Sequence, residues 1–270
     1  GKTGDNGEYA NRHVLYAEVS HVLKAVVFDM DDTLLSLNLN AFIALWAMDE
    51  SNLLAQVGRK NPLSVFAAFT GAMFEVNSAE RTDNDRRTNR EFFDSSLEGR
   101  CGIPLSDPVI ADVLECYERT VLPGKNDGIV AAHAREGAHD AIDVVLDHGL
   151  RIALLTNPSF SRTCIECRMK WGNLLDVPFE LVTTMENSTR CKPCAQYYRE
   201  SLDKMGLAPH EVLMVGNDPK RDFPLPDMGL QTAYVGVGSK PRATWNGPMS
   251  RFANDFDRIV DNFYARQGSL

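Results

Sequence analysis

Five short segments of the chain are almost continuously apolar and rich in β-branched residues. These segments are 23–29, 151–156, 179–184, 211–216 and 231–236. A strand covered by helices on both faces is apolar throughout, whereas a strand with one solvated face alternates apolar and polar residues. The pattern therefore predicts parallel strands that are buried on both faces.

Helical patterns lie between the later strands. Residues 137–149 place apolar side chains at helical spacing and end at Gly149, and residues 193–206 begin with a proline and end at Gly206. Proline at the start of a helix and glycine just after its last turn are typical boundaries. Strands that alternate with helices predict the α/β class, with a doubly wound, Rossmann-like parallel sheet.

The interval between the first two predicted strands is far longer than a single crossover needs. It contains four segments with helix-period apolar patterns, at 39–58, 62–76, 89–99 and 107–121. This predicts an inserted α-helical domain over 36–125, with a hinge at 122–129. Residues 1–35 and 126–270 then form the α/β core, with one more amphipathic helix expected at 251–267.

Composition narrows the classes of function. The chain has 270 residues, and its 28 Lys and Arg against 37 Asp and Glu leave a formal net charge of −9. Nucleic-acid and anionic-membrane binders need concentrated positive charge, so neither partner is expected. Residues 1–21 lack the apolar segment of a signal peptide, and no run approaches the ~20 apolar residues of a membrane span. We therefore expect a cytoplasmic protein.

Carboxylates follow the first predicted strand directly. Asp29, Asp31 and Asp32 occupy three of four consecutive positions, and Thr33 comes next. Open parallel sheets bind ligands just beyond the carboxyl ends of their strands. Three acids this close repel one another unless a cation lies among them, and Mg²⁺ prefers oxygen ligands. Taken alone, the motif favours a solvated acidic turn after a strand.

Polar residues also follow the later strands. Thr156 and Asn157 end the second strand, and Lys192 lies in a loop that leads into a helix. The fourth strand is followed by three further candidates: Asn217, Asp218 and Asp222. An acid cluster, a hydroxyl, a lysine and a second acid cluster together predict a site for phosphate and a metal ion.

These motifs resemble those of the haloacid dehalogenase (HAD) superfamily, in the same order and on the same elements. The matching segments are 29–33, Thr156 with the asparagine after it, the Lys192-Pro193 pair and 216–222. The resemblance covers the sheet domain. It implies a phosphatase-type hydrolase with a helical (C1) cap, which uses Mg²⁺ and an aspartyl-phosphate to hydrolyse a small phosphomonoester.

The resemblance also implies a role for each matching residue. Asp29 is the nucleophile and a metal ligand, and Asp31 is the general acid and base, with its backbone carbonyl on the metal. Thr156, Asn157 and Lys192 hold the phosphoryl group. The metal shell is completed by Asn217, Asp218 and Asp222. Many relatives carry an acid where this chain has Asn217, so either Asn217 or Asp218 is the direct ligand, with Asp218 slightly preferred.

Asp31 distinguishes between reactions within the superfamily. Dehalogenases of this fold lack an acid at that position because a halide leaves without a proton, so Asp31 favours a phosphate ester. A cap that closes over the site favours a small, soluble phosphorylated metabolite as the partner. A phosphomutase is the nearest alternative. A non-enzymatic binding module is a more distant one, and a zinc-binding interaction protein is the most distant.

Two other features have competing interpretations. The CxxC pairs Cys164/Cys167 and Cys191/Cys194 could bind zinc, but Lys192 lies inside the second pair, so free thiols are preferred. Four arginines of the insert could meet an anionic substrate, although a solvated helix face is the preferred interpretation. They are Arg81, Arg86, Arg87 and Arg90. The sequence makes no prediction of the oligomeric state.

Overall fold

The computed structural model describes residues 22–267, so the predictions made for residues 1–21 lie outside it. The described residues contain seven strands: β1 (Ala25–Phe28), β2 (Leu35–Ser36), β3 (His133–Ala134), β4 (Arg151–Leu154), β5 (Val212–Gly216), β6 (Gln231–Tyr234) and β7 (Trp245–Asn246). Five of them form a sheet in the order β4-β1-β5-β6-β7, and every pair in it is parallel. β2 and β3 form a separate antiparallel pair.

Nine α-helices surround and extend this sheet within residues 22–267. They are α1 (Leu39–Gly58), α2 (Pro62–Ser78), α3 (Asn89–Cys101), α4 (Pro108–Thr120), α5 (Ala138–Asp147), α6 (Arg162–Trp171), α7 (Ala195–Met205), α8 (Met249–Phe252) and α9 (Phe256–Gln267). Short 3₁₀ turns occupy Leu122–Lys125 and Pro209–Glu211. In the described part of the chain, no helix combines the length and the apolar character needed to cross a membrane.

Both faces of the sheet are covered, as the apolar strand pattern predicts. Val26 and Phe28 of β1 lie in one apolar cluster, which also contains residues of α5, α8 and α9. Ala25 and Val27 point to the other face and lie in a second cluster, with Tyr197, Tyr198 and Leu202 of α7. All four side chains are fully buried. The predicted doubly wound α/β class is therefore confirmed.

The prediction of a regular strand at 179–184 is wrong. This segment runs beside β4 and forms only one isolated β-bridge with it, between Leu154 and Val182. The pairing stops there because the groups that would continue it have other partners. Thr156 O accepts from the Thr183 hydroxyl at 2.6 Å, and Met185 N donates to Phe160 O at 2.9 Å. The segment is an extended edge rather than a strand.

The predicted C-terminal helix at 251–267 is two helices, α8 and α9. The chain turns between Phe252 and Phe256, and both aromatic rings are buried. Asp255 holds this turn, since its carboxylate accepts from the Trp245 indole at 3.0 Å. Helical periodicity continues through the turn and conceals it in the sequence.

The four segments predicted as helices between β1 and β4 are helices α1–α4. They share an aromatic interior, in which the Trp46 and Phe69 ring centroids are 5.1 Å apart and those of Phe69 and Phe93 are 5.3 Å apart. The Trp46 ring also lies 4.9 Å from that of Phe160, which follows β4. Helices α1–α4 are called the cap below. The chain passes from the sheet to the cap through β2 and returns through β3, and these two strands pair with each other. The boundaries at 36 and 125 remain predictions.

A buried acidic pair lies inside the cap. Glu50 of α1 is adjacent to Glu118 of α4, and both are buried. The Glu118 carboxylate accepts from the Trp46 indole at 3.5 Å, whereas Glu50 Oε1 has no hydrogen-bond partner. Burial raises the pKa of Glu50 well above its ordinary value, and the neighbouring Glu118 raises it further.

We expect Glu50→Gln to stabilise the protein at pH 8 by on the order of 1 kcal/mol, because an amide removes the buried charge. A carboxyl whose pKa is raised on folding favours the folded state below its ordinary pKa. That contribution is lost as the pH rises toward the folded pKa. Urea denaturation should therefore show that Glu50→Gln increases the free energy of unfolding at pH 8, and by less at pH 5. Glu98→Gln, on an exposed position of α3, is the control; an equal gain there would contradict the explanation.

Candidate active site

The end of β1 places Asp29 beside a buried lysine. Lys192 Nζ donates to Asp29 Oδ1 at 2.8 Å and to Asp222 Oδ1 at 2.8 Å. All three side chains are almost completely buried. Burial by itself lowers the pKa of Lys192, but the Asp222 and Asp29 carboxylates outweigh it and raise this pKa well above its ordinary value. Lys192 is therefore an ammonium ion shared by two carboxylates.

The loop after β5 brings Asp222 to this position. A Cβ added to Gly216 would lie 2.3 Å from the Asp222 carboxyl carbon, so only glycine permits the approach. Asp222 Oδ2 also accepts from Asp218 N at 2.8 Å, which closes the loop on itself. Burial raises the pKa of Asp222 to about 6, although Lys192 opposes the shift. Asp222 thus orients Lys192 and the loop.

Asn217 forms an oxygen-lined corner with the β1 end. One terminal atom of its amide lies 3.2 Å from Asp31 O, 3.2 Å from Asp29 Oδ2 and 3.2 Å from Thr33 Oγ1. Neighbouring ligands of an octahedral Mg²⁺ ion are about 3.0 Å apart, given metal–oxygen distances of roughly 2.1 Å. If the amide oxygen occupies this place, then a carboxylate, a carbonyl and an amide oxygen converge at that spacing. The residues present therefore fit a magnesium ion.

Asp218 lies at the edge of the same cavity, but its carboxylate is committed elsewhere. Its Oδ1 accepts from Lys220 N at 2.9 Å, and its Oδ2 lies 3.8 Å from Arg221 Nε. The side chain is also 39% exposed, whereas Asp29 and Asp222 are buried. The geometry thus favours Asn217 over Asp218 as the direct ligand, the opposite of the preference drawn from the sequence.

A buried arginine that the sequence analysis did not identify contacts Asp31. Arg168 of α6 is fully buried and donates from Nε to Asp31 Oδ1 at 3.2 Å and from Nη2 to Asp31 Oδ2 at 3.1 Å. Its guanidinium lies 4.9 Å from the Phe42 ring centroid and 4.3 Å from that of Phe160. Burial raises the pKa of Asp31, and the Arg168 charge opposes that rise. Arg168 thereby fixes both Asp31 oxygens.

The signal for Arg168 in the sequence is weak. It is a charged residue four positions after Cys164, on a helix face where Ile165 and Met169 are also buried. A buried arginine needs a partner, but the helical pattern does not say which one. Only the fold shows that this face lies against the end of β1.

Two of the predicted phosphate-binding residues, Thr156 and Asn157, lie just beyond the carboxyl end of β4. Asn157 lines the site, but its amide is occupied, since Oδ1 accepts from Lys192 N at 3.1 Å and Nδ2 donates to Asn77 of the cap at 2.7 Å. Thr156 is buried, and its carbonyl accepts from the Tyr197 hydroxyl at 3.0 Å. Ser159 also lines the site and was not identified from the sequence. The role of Thr156 stays a prediction.

One cavity of about 450 Å³ contains these groups and lies between the sheet and the cap. Its core side presents Asp29, Asp31, Lys192 and Asn217, together with the exposed Arg221, which was also not identified from the sequence. Its cap side is formed by the first turn of α1 and the last turns of α2. Nearly all the residues predicted for the site thus lie on one cavity.

The CxxC pairs and the insert arginines lie outside this cavity. Cys164, Cys167 and Cys191 are buried free thiols, and burial raises the pKa of each, so none is a ready thiolate. Across residues 22–267, no three His, Cys, Asp or Glu side chains are grouped so as to hold a metal. Arg81, only 4% exposed, donates to Asp85 at 2.9 Å, so it is a buried structural residue rather than part of a solvated face.

An α/β sheet with an aspartate–lysine pair beyond its first strand is the arrangement that the HAD resemblance implies. The chain matches the haloacid dehalogenase-like hydrolase family over residues 23–224, and it belongs to this family. It is also similar to the Xenopus laevis haloacid dehalogenase-like hydrolase domain-containing protein 3, at 28% identity over 125 residues. That match covers 46% of this chain and 50% of the relative, so the chain spans about half the length of this relative.

Solved structures show the same fold. A HAD phosphatase from Thermococcus onnurineus superposes with a TM-score of 0.53 at 18% identity, over 86% of this chain and 97% of that one. CbbY from Rhodobacter sphaeroides, solved with xylulose-(1,5)bisphosphate, gives a TM-score of 0.54 at 13% identity, over 86% and 96%. A HAD-like hydrolase from Xanthomonas campestris gives 0.52 at 16%, over 91% and 95%. At these identities the likeness concerns the fold alone.

Proposed function

We propose that this protein is a Mg²⁺-dependent phosphomonoesterase that passes a phosphoryl group from a small metabolite to Asp29 and then to water. The observation that carries the proposal is the separation of the two Asp29 oxygens. Oδ1 contacts Lys192 Nζ at 2.8 Å, whereas Oδ2 lies 3.2 Å from the Asn217 amide. One oxygen is thus placed beside a cation that can hold phosphoryl oxygens, and the other faces the corner that fits a metal.

In the first step, Asp29 Oδ1 attacks phosphorus and the bond from phosphorus to the ester oxygen breaks. Asp31 donates a proton to that leaving oxygen. Burial raises the pKa of Asp31, although the Arg168 charge opposes the rise, and a raised pKa is the direction that a general acid requires. Lys192 offsets the negative charge that develops on the phosphoryl oxygens.

In the second step, Asp31 accepts a proton from a water molecule, whose oxygen attacks phosphorus. The bond between phosphorus and Asp29 breaks, and inorganic phosphate leaves. Arg168 contacts both Asp31 oxygens, so it keeps that carboxyl beside the reacting atoms in both steps.

The metal would be held by Asp29 Oδ2, the Asp31 carbonyl and the Asn217 amide oxygen. When bound, it would supply positive charge that neutralises the acid cluster and polarises the phosphoryl group. Asp222 supports the site through Lys192, and Asp218 through the backbone of its loop.

The phosphomutase alternative makes a further demand on the cavity. Returning the phosphoryl group to a sugar phosphate creates a bisphosphate, which must bind with either phosphate beside Asp29. The second phosphate would then face the cap side of the cavity. The cap residues that line it carry no positive charge, which favours hydrolysis. Formation of a sugar bisphosphate in place of free phosphate would reverse this preference.

Metal removal provides the test. We expect phosphate release from an aryl phosphate to stop in EDTA and to return with added Mg²⁺. We further expect Asn217→Ala to raise the Mg²⁺ concentration for half-maximal activity by about 10–100-fold, because an oxygen ligand is lost. Asn217→Asp restores an oxygen and should keep the requirement low.

Asp218→Asn is the matched comparison, because it changes the neighbouring side chain of the same loop. It should shift the Mg²⁺ requirement by no more than about threefold, since that carboxylate faces Lys220 N and Arg221. A larger shift for Asp218→Asn than for Asn217→Ala would show that the ligand assignment is wrong. Activity that survives EDTA undiminished would contradict the metal-dependent reaction itself.

A further inference from the structure

The leaving group of the substrate must occupy the cap side of the active-site cavity. Helix α1 contributes Leu39, Asn40 and Ile43 to this wall, and helix α2 contributes Met73, Phe74 and Asn77. Positions three and four apart share one face of a helix, so each set forms a continuous surface. Four of these side chains are apolar and two are neutral amides.

The charges of the cavity are all on its core side. Five carboxylates line it, namely Asp29, Asp31, Asp32, Asp218 and Asp222, against two cations, Lys192 and Arg221. Both Lys192 contacts are to site carboxylates, and Arg221 lies 3.8 Å from Asp218. The other two acids also have partners outside the lining, since Asp31 pairs with Arg168 and Asp32 with Arg135. A second anionic group on a bound ester would therefore meet core cations that are already paired and no cation from the cap.

The arginines of the insert do not alter this balance. Arg81 and Arg87 both pair with Asp85 at 2.9 Å, and Arg90 pairs with Asp94 at 3.1 Å. Arg81 and Arg90 are also bonded to, or packed on, the loop that leads to Lys192. None of the insert arginines lines the cavity within the described part of the chain.

Phe74 adds a second, independent indication. This residue is 74% exposed even though it borders the cavity, while Phe69 on the same helix is fully buried. Large exposed aromatic side chains at the edge of a cavity provide apolar contact area for a ligand. Together with Ile43 and Met73, Phe74 offers the leaving group an apolar contact surface.

We infer that the substrate is a phosphomonoester whose leaving group carries no second anionic group and presents an apolar face to Ile43, Met73 and Phe74. This inference rests on the proposed phosphatase function. It favours aryl and other uncharged esters and disfavours bisphosphates and phosphorylated carboxylic acids.

The test compares phenyl phosphate with para-carboxyphenyl phosphate, which differ by one carboxylate remote from phosphorus. The Mg²⁺-loaded full chain should hydrolyse the neutral ester with a kcat/KM at least about tenfold higher, because the carboxylate would lose its hydration against an apolar cap wall that offers no cation. Phe74→Arg places a cation on the cap wall and should reduce that ratio by about fivefold or more. Phe74 is exposed, so the variant should fold.

Leu63→Arg is the matched control. It lies on the same helix, is 80% exposed and does not border the cavity, so its ratio should equal that of the unmodified protein. A carboxylated ester turned over as well as the neutral one would overturn the inference, as would equal effects of the two arginine substitutions. Hydrolysis of neither ester would overturn the proposed function instead. The matching phosphonates then test charge preference by calorimetric binding, without turnover.

Discussion

Asp29→Asn should lower the kcat for release of phosphate from an aryl phosphate by roughly three orders of magnitude or more. An amide nitrogen in place of Oδ1 cannot form the ester with phosphorus, and the carboxylate that faces the Asn217 corner is lost at the same time. The fold should survive because Lys192 keeps its 2.8 Å contact with Asp222. Steady-state phosphate release measures the first effect, and thermal unfolding followed by circular dichroism measures the second.

The neighbouring acid provides the comparison for Asp29. Asp32 points toward Arg135, 3.6 Å away, and its side chain is 39% exposed. Its backbone has a φ of 59°, a conformation that asparagine also tolerates. Asp32→Asn should therefore reduce activity far less, by about fivefold at most. Equal losses for Asp29→Asn and Asp32→Asn would indicate a general electrostatic effect of the acid cluster rather than a nucleophile.

Lys192→Met should lower the free energy of unfolding by about 3–5 kcal/mol at pH 8, because it leaves two buried carboxylates without their cation. Asp29 and Asp222 both contact Lys192 Nζ at 2.8 Å, and the lysine side chain is 1% exposed. Activity should be lost as well, since no other lysine lines the cavity among the described residues. Urea denaturation gives the free energy of unfolding.

The pH dependence of the free energy of unfolding identifies the cause of the destabilisation in Lys192→Met. Without Lys192, the buried carboxylates bind protons more readily in the folded than in the unfolded state, so acid favours folding. The destabilisation should thus shrink between pH 8 and pH 5.5. Lys204→Met removes a lysine that is 40% exposed and pairs with Glu200 at 3.4 Å, and it should cost less than about 0.5 kcal/mol at either pH. A pH-independent loss in Lys192→Met would instead indicate lost packing.

The parts of the fold that could be predicted are those in which burial produces a regular pattern of apolar residues. Strands β1, β4, β5 and β6 are apolar because both faces of the sheet are covered, and helices α1–α4 show their apolar faces at helical spacing. The segment 179–184 has the same composition as a strand, yet it is a sheet edge. There the Thr183 hydroxyl bonds the Thr156 carbonyl, and Met185 N bonds the Phe160 carbonyl, so the strand pairing does not continue. The composition of the segment does not show this competition for backbone hydrogen bonds.

The same distinction applies to the site. Strand ends bring Asp29, Asn157, Asn217 and Asp222 to one edge of the sheet, and motif order was sufficient to expect this. The family itself was also evident from the four motifs. The partner of Asp31 was not, because Arg168 is 137 residues away in the chain and its helix shows only an apolar face that includes one charge.

The sequence by itself determined the α/β class, the family and the residues of the acid–lysine cluster, since each depends on residue type at a position set by the strand pattern. The tertiary structure decided the rest. It turned Asp218 toward Lys220 N, while the Asn217 amide lies 3.2 Å from three oxygens of the segment that follows β1. It also placed neutral cap residues opposite a charged core. Both outcomes depend on side-chain direction and on contacts between distant segments, and these are properties of the packed chain alone.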